Sequence, residues 1–252
     1  MQGEVRLRVH VLGVSGSPRH AATDILVQAT LLGAAAVAAD VTTEFVSLAG
    51  KRVEPCNGCA PCNAAARCLI DDDMRPLYDR LLAADAIIVG SPVYYGAPTA
   101  LCKAFMERVQ GLGIREKRLR LKVGGAIATG GSRSGGQEST LAALHLWFQI
   151  LDMLPVGITS PVSQWGVSGT AGYGPLDIHD DVVPLPLTGG SITTTRIAWM
   201  YGRKVATIAR IVRSGVQASG LDLPDAPYGY GVPSSFPSEL DELGRHVDGP
   251  SL

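Results

Sequence analysis

A chain of 252 residues that is 46% hydrophobic and 18% charged, with a formal net charge of −1, has no basic field with which to hold nucleic acid or an anionic membrane surface. Its length suits one α/β domain with extensions and allows a sizeable core. The opening Met1-Gln2-Gly3-Glu4 leads straight into a strand-like run with no apolar leader, and no long apolar span follows, so the expectation is a soluble cytoplasmic protein without a membrane segment.

Residues 6–14 read as a first strand, ending in Ser15-Gly16-Ser17-Pro18-Arg19-His20-Ala21-Ala22-Thr23, after which an Ala/Leu-rich helix is predicted to about Asp40. Strand, small hydroxyl loop and helix together suggest a phosphate cradle. Ser15, Ser17 and Thr23 offer hydroxyls, Gly16 permits close backbone approach, and the helix start presents free N–H groups and its positive dipole end. The stretch lacks the Gly-Lys-Ser/Thr of a P-loop and the G-x-G-x-x-G of a dinucleotide fold. The alternative is that Ser and Thr merely cap the helix.

A second strand is predicted over 41–48. Beyond it, Cys56, Cys59, Cys62 and Cys68 stand in C-x2-C-x2-C-x5-C spacing. Three thiolates from one short loop can face one centre and a fourth can close it, which is the requirement of a [4Fe–4S] cluster. A structural zinc site more often uses two knuckles well apart in sequence. Five cysteines and no secretory signal speak against a disulfide framework, although reduced thiols or a loop disulfide remain alternatives. Cys102 reads as a buried small residue. Asp71-Asp72-Asp73 ahead of Pro76 reads as helix N-capping rather than a divalent-metal site.

The apolar run 86–90 has the character of a strand buried on both faces of a parallel sheet. Its carboxyl end carries Ser91-Pro92-Val93-Tyr94-Tyr95-Gly96-Ala97-Pro98, where two tyrosines can flank a flat aromatic ligand or else pack on a neighbouring helix. A helix over 99–110 and a fourth strand over 121–129 follow. That strand, ending at Thr129, delivers Gly130-Gly131-Ser132-Arg133-Ser134-Gly135-Gly136-Gln137-Glu138, either an amide nest with a fixed positive charge or a plain flexible loop. Helices are predicted over 139–152 and 193–214, with a fifth strand over 155–162. The aperiodic stretch 163–190 reads as a lid or interface segment, and the proline-rich stretch from 221 as a disordered tail or one laid along a partner. The division predicted is a domain over 1–215, with the cysteine loop 53–74 inserted, and a tail over 216–252.

Taken together, Ser15-Gly16-Ser17-Pro18-Arg19, the cysteine knot with Asp72-Asp73-Met74, Gly90-Ser91-Pro92-Val93-Tyr94-Tyr95-Gly96, Lys103-Ala104-Phe105, and Gly130-Gly131 with Gly135-Gly136-Gln137-Glu138 resemble the flavodoxin-like NADPH-dependent FMN reductases, and the iron–sulfur flavoproteins in particular. The resemblance covers about residues 9–215. It implies a doubly wound five-stranded parallel sheet in order 2-1-3-4-5 with a C-terminal extension. It also implies FMN, with Ser15, Ser17, Pro18, Arg19 and Thr23 around the phosphate and Pro92, Val93, Tyr94, Tyr95 and Gly96 edging the ring. Thr129, Gly130, Gly131, Arg133, Gly135 and Gly136 would close over the flavin's other side. The sequence departs from the family pattern at His20-Ala21-Ala22, where Asn-Gly-Asn is frequent, and at Glu107, where Asp is usual.

FMN supplies the electron chemistry itself, and no catalytic side chain is assigned. The leading expectation is an oxidoreductase that moves electrons between a two-electron donor and one-electron acceptors through FMN and a [4Fe–4S] cluster. NAD(P)H is a candidate co-substrate, and a partner protein or small molecule is the acceptor. The alternatives are a cluster-free NAD(P)H:FMN or quinone reductase and, from another class, a non-catalytic electron carrier. A homodimer or homotetramer is expected, because Tyr228, Tyr230 and Phe236 in the tail need a surface to rest on.

Overall fold

The computed structural model describes residues 7–62, 68–113, 117–132, 134–160, 163–171, 178–179, 183–185 and 190–220. Arg133, much of the stretch predicted as a lid, and the tail from 221 lie outside them. The chain runs β1 (Val9–Ser15), α1 (Ala22–Ala35), β2 (Val41–Ser47), α2 (Arg75–Ala83), β3 (Ala86–Tyr94), β4 (Ala97–Pro98), α3 (Ala100–Arg108), α4 (Gln110–Gly113), β5 (Val123–Gly130), α5 (Gln137–Ile150) and β6 (Leu154–Val156). It continues through β7 (Val167–Ala171), β8 (Ile178–His179), β9 (Val183–Leu185), β10 (Gly190–Ile192) and α6 (Thr194–Ser219).

The sheet is ordered β2-β1-β3-β5 and then β6 and β7, all parallel, with β8 antiparallel at the edge beyond β7. Its five parallel positions therefore follow the expected order 2-1-3-4-5. β3 and β5 form its centre because Ala86, Ile87, Ile88, Val89, Val123, Ala126, Ile127 and Ala128 are wholly buried, and only a strand covered on both faces can be apolar throughout. Helices α2, α3 and α5 cover one face, where Leu12, Leu77, Phe105, Leu144 and Phe148 form the core. Helices α1 and α6 cover the other over Val11, Leu26, Ile88, Ile197, Tyr201 and Val205. These last two helices approach until backbones touch: a Cβ on Gly33 would lie 1.9 Å from Trp199 O, and one on Gly202 1.7 Å from Thr30 O.

The fifth position differs from the expected single strand over 155–162. β6 pairs with Val123–Gly125 and β7 with Ile127–Gly130, so the position is filled by two short pieces with an excursion between them. The cause is glycine at both ends of the excursion. A Cβ on Gly157 would meet Gln164 O at 2.3 Å, and one on Gly166 would meet Ala126 O at 2.3 Å. The skipped residue, Ala126, donates its amide to the Tyr201 hydroxyl at 3.0 Å, and that hydroxyl donates to Val156 O. A side chain from α6 thus replaces the missing ladder bonds. The first helix also stops earlier than expected, at Ala35 rather than near Asp40, because the chain turns to enter β2 with Asp40 O accepting from Val9 N.

Candidate functional site

Three loops leave the carboxyl ends of β1, β3 and β5, and β1 lies where the strand order reverses, the position at which open α/β sheets hold ligands. The loops are bonded to one another. Gly16 N donates to Gly90 O at 2.7 Å, Thr99 Oγ1 donates to Gly16 O at 2.6 Å, and the Thr23 and Thr129 hydroxyls share a 2.7 Å hydrogen bond. A Cβ on Gly136 would stand 2.8 Å from Gly96 Cα, while the Ser139 hydroxyl donates to Gly96 O. The structure therefore brings the three predicted segments into one locus.

In the first loop, Ser15, Ser17 and Thr23 are buried, and Pro18, Arg19 and His20 are exposed. Helix α1 starts at an extended Ala21 with no side-chain cap, which removes the reading of Ser and Thr as simple caps. Its first amides stay available, as an anion site needs. The Ser17 hydroxyl is turned back onto Arg19, whose amide donates to it at 3.2 Å. His20, one of the departures from the family pattern, places Nδ1 2.8 Å from Asp24 Oδ2 in the first turn.

The second loop is a hairpin: β4 folds back on β3 with Val93 opposite Pro98 and Tyr94 opposite Ala97. Tyr95 and Gly96 are the central residues, with φ of 50° and 77°. Positive φ at both is the signature of a type I′ turn, and a non-glycine residue there stores strain. Tyr94 and Tyr95 stand exposed at this tip, and Pro92 and Val93 are half-buried beneath it. Tyr95 is fully exposed and so does not pack on a helix, which is the alternative its sequence allows. In the third loop Gly130 is buried and Gly131 and Gly135 are exposed. Gly136 takes φ 107°. Gln137, which the sequence reading did not place in the site, holds this loop. It is fully buried, its Oε1 accepts from Gly135 N at 2.8 Å, and its Nε2 donates to Ser132 O at 2.5 Å.

The cysteine loop sits on the far end of the same helix that supports the first loop. At the start of α3, Thr99 caps Cys102 N at 3.0 Å. Cys102 itself packs under Gly16, and full burial raises its thiol to about 12. At the end of α3, Glu107 Oε2 accepts from Cys56 N at 3.4 Å and Arg108 Nε donates to Cys68 Sγ at 3.1 Å. Cys56 and Cys59 are exposed, Cys62 is partly covered and Cys68 is buried; all are free thiols. Burial, and then the charges of Cys68, Cys56 and Cys59, raise the pKa of Cys62, so all four sulfurs lie within electrostatic reach. Soft thiolates clustered on one loop suit an iron–sulfur centre in donor chemistry. Among the described residues no three His, Cys, Asp or Glu side chains form a group that could hold a single metal ion.

Asp71, Asp72 and Asp73 do not cap α2, whose N-cap is Met74. Asp71 pairs with Arg75 at 3.2 Å and Asp73 accepts from Arg52 N at 2.7 Å. Asp72 is buried against Arg108. Burial opposes its charge, yet hydrogen bonds from Arg108, Glu54 N and Met74 N hold its carboxyl below the usual range. Among the described residues, no helix is long and apolar enough to cross a membrane.

The NADPH-dependent FMN reductase family matches over residues 9–166. The chain is 38% identical over 203 residues to an iron-sulfur flavoprotein of Methanocaldococcus jannaschii, covering 81% of this chain and 98% of that one. An iron-sulfur flavoprotein of Methanosarcina thermophila is 40% identical over 151 residues, 60% of this chain and 78% of its own. Among solved structures, a flavodoxin, WrbA-like protein from Agrobacterium tumefaciens shares the fold with a TM-score of 0.50 at 20% identity, covering 81% of this chain and 98% of that one.

Proposed function

We propose, from the premise that this chain belongs to the NADPH-dependent FMN reductase family and within it to the iron–sulfur flavoproteins, that it passes electrons between a two-electron donor and one-electron acceptors by way of FMN and a [4Fe–4S] cluster. That it is an FMN-dependent oxidoreductase follows from the family itself. The observation that carries the two-centre reading is helix α3, bonded by its first turn to the loop after β1 and by its last turn to the cysteine loop.

The residues fit a flavin mononucleotide. Uncapped amides of α1 with Ser15, Ser17, Thr23 and Arg19 would take one phosphate, and the sequence has no G-x-G-x-x-G turn of the kind that holds a pyrophosphate. Pro92, Val93, Tyr94, Tyr95 and Gly96 would border the ring on one side. Thr129, Gly130, Gly131, Gly135 and Gly136 would border the other, held in place by Gln137. When bound, FMN supplies the hydride and single-electron chemistry; the protein positions it and limits water. Cys56, Cys59, Cys62 and Cys68, all free thiols, would hold the cluster.

The test is anaerobic purification followed by the visible spectrum and assays of flavin, iron and acid-labile sulfide. The expected wild type carries all three. Cys59→Ser is expected to keep FMN, lose most iron and sulfide, and lose reduction of one-electron acceptors while hydride transfer to flavin persists. A second reading is a cluster-free NAD(P)H:FMN or quinone reductase, which the free, unbridged thiols equally allow. Iron and sulfide absent even after anaerobic reconstitution would decide for it.

A further inference from the structure

Arg108 is 1% exposed, and every N–H of its guanidinium has an acceptor. Nε donates to Cys68 Sγ at 3.1 Å, Nη1 to Asp72 Oδ2 at 2.6 Å and Glu54 O at 2.9 Å, and Nη2 to Asp72 Oδ1 at 3.0 Å and Ile70 O at 3.3 Å. A guanidinium has five N–H donors in a fixed fork, so none is left over. The acceptors lie on both ends of the cysteine loop, Glu54 before it and Cys68, Ile70 and Asp72 after it. One side chain closes that loop at its base. The arginine is itself held, since the Tyr78 hydroxyl donates to Arg108 O at 3.0 Å.

Scaffolding alone does not account for this choice of residue. A buried ion pair is seldom better for stability than apolar residues of the same volume, and a loop base can be closed by apolar contacts. What an apolar closure lacks is an N–H aimed at a sulfur and a fixed positive charge beside it. Hydrogen bonds to cysteine sulfurs and local net charge are among the determinants of iron–sulfur potentials, and residues that hold ligands tune the metal they bind.

We propose that Arg108 is a positioning residue for the cysteine-held centre: through its Nε–H on Cys68 Sγ it fixes the fourth ligand and stabilises the reduced, more negative state, so that the potential is raised. The proposal rests on the cluster reading above. The couple concerned gains one electron, supplied by the two-electron-reduced flavin, and no bond is made or broken. Asp72 has the opposite effect, because its carboxylate neutralises the guanidinium.

The experiment uses the full chain, anaerobically reconstituted, as wild type, Arg108→Lys, Asp72→Asn and the neutral pair Arg108→Gln with Asp72→Asn. The readouts are the cluster's midpoint potential from a redox titration followed by electron paramagnetic resonance, iron per chain, and flavin content as the measure of folding. The neutral pair is expected to shift the equilibrium about tenfold against the reduced state, about 59 mV downward for one electron. Arg108→Lys, which keeps charge but loses the fork, should fall between it and wild type. Asp72→Asn, which leaves the guanidinium uncompensated, should move the potential upward. If the neutral pair fails to retain flavin, the opposite signs of Arg108→Lys and Asp72→Asn decide. Equal potentials in iron-loaded, flavin-loaded variants, or shifts of one sign for both single substitutions, would overturn the role of Arg108 and leave the cluster reading standing. A wild type that binds flavin and takes up no iron would overturn that reading, and the proposal with it.

Discussion

Ser17 sits 1% exposed in the loop after β1, beside the uncapped start of α1. A negative charge there would face the flavin phosphate. At an effective dielectric near 20 and a separation of roughly 4 to 8 Å, the repulsion is about 2 to 4 kcal/mol, so Ser17→Asp is expected to weaken FMN binding by roughly 30- to 1,000-fold. Fluorescence titration of the flavin-free variant, with circular dichroism as proof of folding, measures it; unchanged affinity would refute the phosphate assignment. Lys122 gives a second prediction. Its Nζ donates to Leu82 O at 2.8 Å and to Ala84 O at the end of α2. Burial lowers its pKa to about 8, with Arg213 and Arg118 adding to the effect and Asp85 opposing it. A folded-state pKa below the unfolded value near 10.4 means the unfolded chain binds more protons between those limits. Stability contributed by this group therefore rises with pH across that window, by up to about 3 kcal/mol. Urea unfolding at pH 8 and pH 10 should show the gain in wild type and lose it in Lys122→Met. The places of Ser15, Thr23 and the tyrosine pair were legible in the sequence because each lies in or beside a loop that follows a strand, which is a local pattern. Arg108 was not, since its partners are 36 to 54 residues away and an arginine late in a helix looks like a solvated one.

The elements built on an apolar run were legible for the same reason: β1, β3 and β5 are built from Val, Ile, Leu and Ala with mostly small Gly, Ser and Thr between them. The fifth position was misread as one strand because Pro155, Val156, Ile158 and Val162 are apolar at short range, while the contacts that force the break involve Ala126 and Gln164. That break makes Tyr201 indispensable. Its burial raises the phenol well above the ordinary tyrosine range, so it remains a neutral donor and acceptor. Tyr201→Phe leaves Ala126 N and Val156 O without their partner, and each buried orphan costs roughly 1 to 3 kcal/mol. The expected result is a fall in unfolding free energy of at least about 1 kcal/mol in urea melts with an unchanged denaturant slope. Equal midpoints for both proteins would mean that water replaces the phenol.

At the scale of the molecule, apolar side chains stay exposed over both layers of helices: Leu32 and Trp199 on one, Leu146, Ile150 and Trp165 on the other. Together with the aromatic tail, they support the expectation of a homodimer or of a tetramer built from dimers. Sedimentation of the full chain at micromolar concentration should give a mass of two or four chains, and a monomer would overturn it. The pieces on either side of the excursion between β6 and β7 have a further consequence. Everything up to Val156 carries the loop after β1, the cysteine loop and α3, while the remainder returns Gly169 O to Gln137 and Tyr201 to Ala126. Thr159, Gln164 and Trp165 are exposed on that excursion, where a protease finds an accessible surface loop. A single nick there would leave two fragments clasped by the sheet and by the α1–α6 contact. Such a molecule would sediment as intact and separate only when denatured, so the seam in the fifth strand makes the protein divisible without being dissociable.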